Sequence, residues 1–433
     1  MIPVPLRILV VLPLYGGSLP VGRYCVSALR DLGHTVEVFE APAFLGAFSA
    51  LKELHVSMDK HEGLETSLLQ VVSQAIHAKA EALQPDLVIA LAQAPVTRQL
   101  LKRLQRDGIP SAMWFVEDFR LFPYWRAFAP LYDFFFVIQK EPFFSELRTV
   151  GVEGVYLPLA ALPAFHRPLT LSALEQDRFG SAVSFMGAGY PNRRTAFQAL
   201  RVPDFKVWGS DWEEAALQGV LQDNGARVAP EDAVKIFNAS AVNLNLHSSI
   251  HAEPVQHGDF VNPRTFELAA CGAFQLVDAR DLLPELFVVS GADRELETFT
   301  SMQELRDKAV WFVAHPEERA AVAKRAQLRV CAEHTYHKRM ETLLQAVRTR
   351  RPDWLARFAS ATSVPLELTQ DLPEGLTGVA EEAAWTELLA RMHLPETTAF
   401  ADVVFRLRQQ PGTRTPFEAS ILFLDEWRKQ YGK

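Results

Sequence analysis

Short apolar runs alternate with stretches of helical length along most of this chain, and that alternation leaves few folds open. Arg7–Leu12, Thr35–Phe39, Asp86–Ala90, Ala112–Val116 and Phe134–Ile138 read as buried strands. A second set follows at Ala182–Met186, Phe205–Trp208, Ala241–Leu246 and Ala273–Val277. Strands separated by helices pair in parallel, so an α/β fold is expected. Gly16, Gly17 and Gly22 punctuate the turn after the first strand, and a helix then runs to about Leu32. Between the two sets, Leu157–Pro168 carries three prolines and reads as a hinge. Met302–Ala314 and Glu317–Glu333 read as helices, the second opened by Pro316 and early acids. The 433 residues suffice for two domains of ordinary size. In such sheets a ligand lies outside the carboxyl ends of the strands.

The run Asn262–Asp278, NPRTFELAACGAFQLVD, is the most informative segment. Asn262 suits a helix N-cap and Pro263 the first helical position. Gly272 suits the left-handed residue past the helix end, and a buried strand follows. The start of this helix offers N–H groups and a positive dipole end to a phosphate. Arg264 lies in the first turn and can grip a phosphate with two parallel N–H bonds. Glu267, one turn on, can accept from the neighbouring hydroxyls of a ribose. Together they outline a nucleotide site. An ordinary Arg264–Glu267 pair at i, i+3 explains the same two residues.

The R-x-F-E-x-A-A-C-G helix leading into an apolar strand resembles CgeB-like (spore-maturation-type) glycosyltransferases. SFMGAGYPNRR (Ser184–Arg194), VWGSDW (Val207–Trp212), FNASAVNLNLH (Phe237–His247) and HTYHKR (His334–Arg339) resemble further landmarks, in order. Upstream, MWFVEDFR (Met113–Arg120) and GVYLPLAALPAFHRP (Gly154–Pro168) resemble the N-terminal half. The resemblance spans about residues 1–350. It implies a GT-B glycosyltransferase: an N-terminal Rossmann-like acceptor domain (1–165), a C-terminal donor domain (166–335) and a closing helix (336–350). Residues 351–433 would be a mainly helical extension. The implied reaction is hexosyl transfer from a nucleoside diphosphate sugar, UDP being the expected nucleotide, to a hydroxyl of a glycan or protein, with retention of configuration. No cofactor and no metal are expected. Two other readings stay open: a non-catalytic scaffold on a GT-B frame, and a nucleotide-sugar epimerase of GT-B fold.

Other candidates surround the helix. Gly187 and Gly189 follow the first strand of the second half, where glycine lets backbone approach a diphosphate; Arg193 or Arg194 adds charge. A turn and a solvated basic helix end account for them equally. Asp259 precedes Glu267 by the spacing of the E-x7-E pair of many retaining GT-B enzymes, and a loop-capping role is the alternative. Glu117 and Asp118 end a strand at the cleft edge, where a carboxylate orients or deprotonates an acceptor hydroxyl. The resemblance favours Asp118, and a helix N-cap is the alternative. Gly16 and Gly17 fall on the acceptor side. Their spacing is not G-x-G-x-x-G, although Glu40 stands near the ribose-partner distance, so a dinucleotide site is disfavoured. His247, His251, Glu253, His257 and Asp259 match no compact zinc pattern.

Composition adds exclusions. The net charge of −8, with both signs interspersed, argues against a nucleic-acid binder. Cys25, Cys271 and Cys331 are sparse and odd in number, which fits a reducing compartment. The N-terminus reads as a strand and no run is long enough to span a bilayer, so a cytoplasmic protein is expected. The extension carries Trp354, Phe358, Trp385, Phe405, Phe417, Phe423 and Trp427, enough for an ordered subdomain or an apolar face for a partner or dimer.

Overall fold

In the computed structural model, which describes residues 5–212, 217, 219–255, 257–350, 379–395, 398–409 and 414–431, the strands form two parallel sheets. The first contains β1 (Arg7–Val11), β2 (Thr35–Phe39), β3 (Leu87–Leu91), β4 (Ser111–Phe115), β5 (Phe134–Val137) and β6 (Gly154–Tyr156), in the order β2-β1-β3-β4-β5-β6. The second contains β7 (Ser181–Met186), β8 (Phe205–Trp208), β9 (Ser240–Asn245), β10 (Gln275–Asp278) and β11 (Glu297–Phe299), in the order β11-β10-β9-β7-β8. β3 and β4 are buried at every position because helices cover both faces. The expected strands all form. Two short ones, β6 and β11, escaped the sequence reading: each has only three residues and is partly exposed, so neither shows a continuous apolar run. Gly22 lies inside helix Ser18–Asp31 rather than in the preceding turn.

Strand order reverses direction between β1 and β3 in one sheet and between β7 and β9 in the other. Adjacent loops part at such points and leave a crevice at the strand carboxyl ends.

Residues 1–350 form one compact unit and residues 351–433 another. Within the first, helix Tyr336–Arg350 returns to the Leu157–Pro168 segment. Arg339, buried, donates to the carbonyls of Pro158 (2.6 Å) and Leu159 (3.1 Å) and to His334 Nδ1 (2.9 Å). The N–H of Tyr336 donates to the Ala161 carbonyl at 2.9 Å. The HTYHKR run therefore fastens helix Tyr336–Arg350 to the Leu157–Pro168 segment.

In the second unit, helices Val379–Arg391, Phe400–Gln409 and Pro416–Tyr431 share a core of Leu388, Leu389, Val403, Val404, Leu407 and Ile421, with Trp385, Phe400 and Phe417 packed against it. Phe423 is exposed. Trp354, Phe358 and the side chain of Trp427 lie outside the described residues.

Candidate active site

Helix Pro263–Ala270 starts and stops as its sequence dictates. Asn262 Oδ1 accepts the N–H of Thr265 at 3.1 Å. At the other end Gly272 adopts φ +65°; its N–H and that of Ala273 donate to the Ala269 and Leu268 carbonyls. That pair of bonds closes a helix with a left-handed residue, which glycine adopts without penalty.

A buried polar network fixes the helix start at the carboxyl end of β9. Asn262 Nδ2 donates to Asn245 Oδ1 at 2.8 Å, and Asn245 Nδ2 donates to Thr265 Oγ1 (2.9 Å) and Gln275 Oε1 (3.0 Å). The N–H of Asn262 donates to His247 Nε2 at 2.9 Å, while His247 Nδ1 lies 2.6 Å from Asp278 Oδ1. This assigns the neutral His247 tautomer with its proton on Nδ1. Burial lowers the His247 pKa. Burial acts to raise that of Asp278, but His247 and Arg280 outweigh it and hold it below the usual range. Sequence alone did not separate this scaffolding histidine from the exposed His251 and His257. Among the described residues, the ligand atoms that converge as a metal site requires are those of His77, Glu81 and Asp107, not those of the histidine-rich loop.

Arg264 and Glu267 do pair: Arg264 Nη1 donates to Glu267 Oε2 at 2.9 Å. The pair is not a solvated surface bridge, since Glu267 is buried and the Arg264 side chain is 22% exposed. The guanidinium lies 4.5 Å over the Phe237 ring and 3.6 Å from Met186 Sδ, at the end of β7. Glu267 also faces His166 in the hinge, with Nε2 3.8 Å from Oε1. Both residues thus sit at the carboxyl edge of the second sheet, against the hinge.

Arg193 bridges the strand-order reversal. Its Nε and Nη2 donate to the Leu246 carbonyl, and Nη1 donates to that of Ala188, tying the loops after β9 and β7 together. Desolvation pushes its pKa down to about 10. Arg194 instead holds the Asp211 carbonyl. Gly187 and Gly189 both lie against the strand and loop of β8. Their N–H groups donate to the carbonyls of Trp208 and Ser210, both at 2.9 Å. A Cβ on Gly189 would stand 2.3 Å from the Asp211 carbonyl oxygen. The backbone that Gly189 admits is the chain's own loop after β8, a demand the local sequence does not reveal.

Across the crevice, adjacent carboxylates at the end of β4 serve different places. Glu117 turns to the β1/β3 reversal, where Tyr124 Oη (2.9 Å) and Gln93 Nε2 donate to it. Burial raises its pKa against the lowering effect of those bonds. Gly16 lies on the same side with φ +96°, and its carbonyl accepts from Arg227 of the second half at 3.2 Å. Gly17 precedes helix Ser18–Asp31 and supplies its N-cap backbone without a capping side chain. Asp118 Oδ1 accepts the Arg120 N–H at 2.9 Å and faces Gln139 Nε2 at 3.4 Å. Gln139 Nε2 also donates to Asp259 Oδ1 at 2.8 Å, so Asp118 and Asp259, from the two halves, meet at one amide. Sequence reading missed Gln139 and Arg120. A glutamine ending the apolar run FFFVIQ, at the same sheet edge as Glu117 and Asp118, was the available signal.

Residues 193–345 match the family described as glycosyl transferase-like. The spore protein CgeB of Bacillus subtilis (strain 168) is 28% identical over an alignment covering 57% of this chain and 77% of that protein. Among solved structures, sucrose-phosphate synthase from Thermosynechococcus elongatus aligns with a TM-score of 0.56 at 12% identity, covering 80% of this chain and all (100%) of that one. Anabaena HepE in complex with UDP-glucose aligns with a TM-score of 0.54 at 13% identity, covering 79% of this chain and 100% of the other. The resemblance to CgeB and the expectation of a GT-B fold with a helical C-terminal region are borne out.

Proposed function

We propose that this CgeB-related chain on a GT-B frame is a glycosyltransferase moving a hexosyl group from a UDP-sugar to an acceptor hydroxyl. The observation that carries the reading is the placement of Asn262, Arg264 and Glu267 on a helix that starts at the carboxyl end of β9, with the Arg264 guanidinium against Met186 at the end of β7. Arg264 and the helix dipole would stabilise the departing diphosphate, with Arg193 adding charge behind them. Glu267 would accept from the ribose hydroxyls and orient the nucleoside. Asp259 would meet the transferred sugar, and Asp118 would orient the acceptor hydroxyl beside the Gly16–Gly17 loop. Gly187 and Gly189 would let the loop after β7 approach the donor diphosphate closely.

Fixed positive charge at the leaving group removes the need for a metal, and the likeness to the E-x7-E pair favours retention of configuration. The acceptor is a glycan or a protein hydroxyl, and the site of action is cytoplasmic. Among the described residues no helix is long and apolar enough to cross a membrane. A ligand that binds the native state raises its melting temperature. A thermal-shift panel of nucleoside diphosphates and nucleotide-sugars is expected to single out UDP and one or more UDP-sugars. No shift with any nucleotide would remove the reading.

A further inference from the structure

Asp259 belongs to the second half, yet a side chain from the first half holds it. Gln139 is completely buried one residue beyond the Phe134–Ile138 run. Its Oε1 accepts the N–H of Phe119 at 3.0 Å, which fixes the amide so that Nε2 faces the two carboxylates. Phe119 is itself immobilised by stacking on Phe143, with ring centroids 4.5 Å apart. Nε2 then donates to Asp259 Oδ1 at 2.8 Å, and Arg120 Nη1 stands 3.6 Å from the same oxygen. Asp259 Oδ1 also accepts the N–H of Phe260 at 2.9 Å.

The other oxygen is different. Asp259 is 8% exposed, and its Oδ2 is buried with no hydrogen-bond partner in the protein. A buried carboxylate oxygen without a donor is costly, so a ligand that supplies a donor gains from filling the place. A phosphate cannot, because it brings only acceptors and negative charge. The Arg120 guanidinium beside Oδ1 disfavours a metal cation. A neutral hydroxyl fits.

We propose that Gln139 is a positioning residue: it holds the Asp259 carboxylate across the crevice so that Oδ2 accepts a hydroxyl of the donor sugar. Recognition of the sugar, unlike that of UDP, then depends on both halves of the unit. The inference rests on the donor-site reading above.

The test is calorimetric titration of UDP and of UDP-glucose, UDP-galactose and UDP-N-acetylglucosamine into wild type, Gln139→Met, Asp259→Ala and the double variant. Methionine keeps the side-chain length and removes the amide. UDP affinity should stay within about twofold in all four proteins. The UDP-sugar bound most tightly by wild type should lose roughly tenfold with Gln139→Met. The double variant should bind it no more weakly than Asp259→Ala alone, because the glutamine reaches the donor sugar only through that carboxylate. Wild-type-like sugar binding by Gln139→Met, equal loss of UDP and UDP-sugar, or multiplying losses in the double variant would overturn the proposal. If wild type binds neither UDP nor any UDP-sugar, the donor-site reading has failed instead. Melting temperatures of the same four proteins still decide the contact: non-additive losses support it and additive losses refute it.

Discussion

Arg264 and Glu267 are hydrogen-bonded to each other at 2.9 Å one helical turn apart, with the carboxylate buried against the hinge. A surface pair of this spacing contributes only a few tenths of a kcal/mol. Here the carboxylate has lost solvent, so the arginine is its main compensation and is also the cation proposed to meet the leaving diphosphate. Arg264→Ala should weaken UDP binding by about 1.5–3 kcal/mol, on the order of ten- to a hundredfold, and lower the melting temperature. Glu267→Gln keeps an oxygen for Arg264, so the fold should survive while nucleoside affinity falls. A 2′-deoxy donor should lose affinity with wild type but lose little more with Glu267→Gln. Normal nucleotide affinity in both variants would reduce the pair to a structural bridge.

Four buried histidines each use a ring nitrogen as an acceptor. His34 Nδ1 takes the N–H of Leu6, His166 Nδ1 that of Leu162, His247 Nε2 that of Asn262, and His334 Nδ1 an N–H of Arg339. Protonation at those atoms would break every one of these bonds. Burial lowers all four pKa values, those of His34 and His334 to about 4. The unfolded chain, with histidine near 6.5, binds these protons first, so stability is full above that value and falls as pH drops toward about 4. Melting temperatures measured from pH 7.5 to 4.5 should decline mainly below 6.5. A flat profile over that range would contradict these tautomers.

Turnover should survive EDTA, since Arg264, Arg193 and the helix dipole already place positive charge at the strand ends. Loss of activity on chelation, restored by manganese or zinc, would return the histidine-rich loop or a substrate-bound ion to the mechanism.

The helical unit past residue 379 has its own core, in which Leu407 is completely buried. Leu407→Ala should cost about 2–5 kcal/mol there, seen as faster amide exchange in helices 379–391, 400–409 and 416–431. Unchanged exchange would mean that these helices are not held by the core described.

The parallel sheets were legible because buried strands make continuous apolar runs, and the Asn262 helix because its cap, proline and glycine are local signals. What stayed hidden depends on contacts between distant segments. Nothing near Gly189 announces the carbonyl of Asp211, and nothing near His247 announces the N–H it accepts from Asn262. Glu117 and Asp118 lie in the bend after β4, and their different directions follow from the partners each one finds there, Tyr124 and Gln139. Which of them meets Asp259 requires the second half to be in place.

The most direct test of the account is product analysis with purified enzyme, a panel of UDP-sugars and a sugar-hydroxyl acceptor library, followed by proton NMR. The account predicts UDP release that depends on acceptor, with the new glycosidic bond keeping the donor's anomeric configuration. Conversion of a UDP-sugar to its epimer without acceptor, or tight UDP binding with no transfer to any acceptor and no release of UDP, would contradict it.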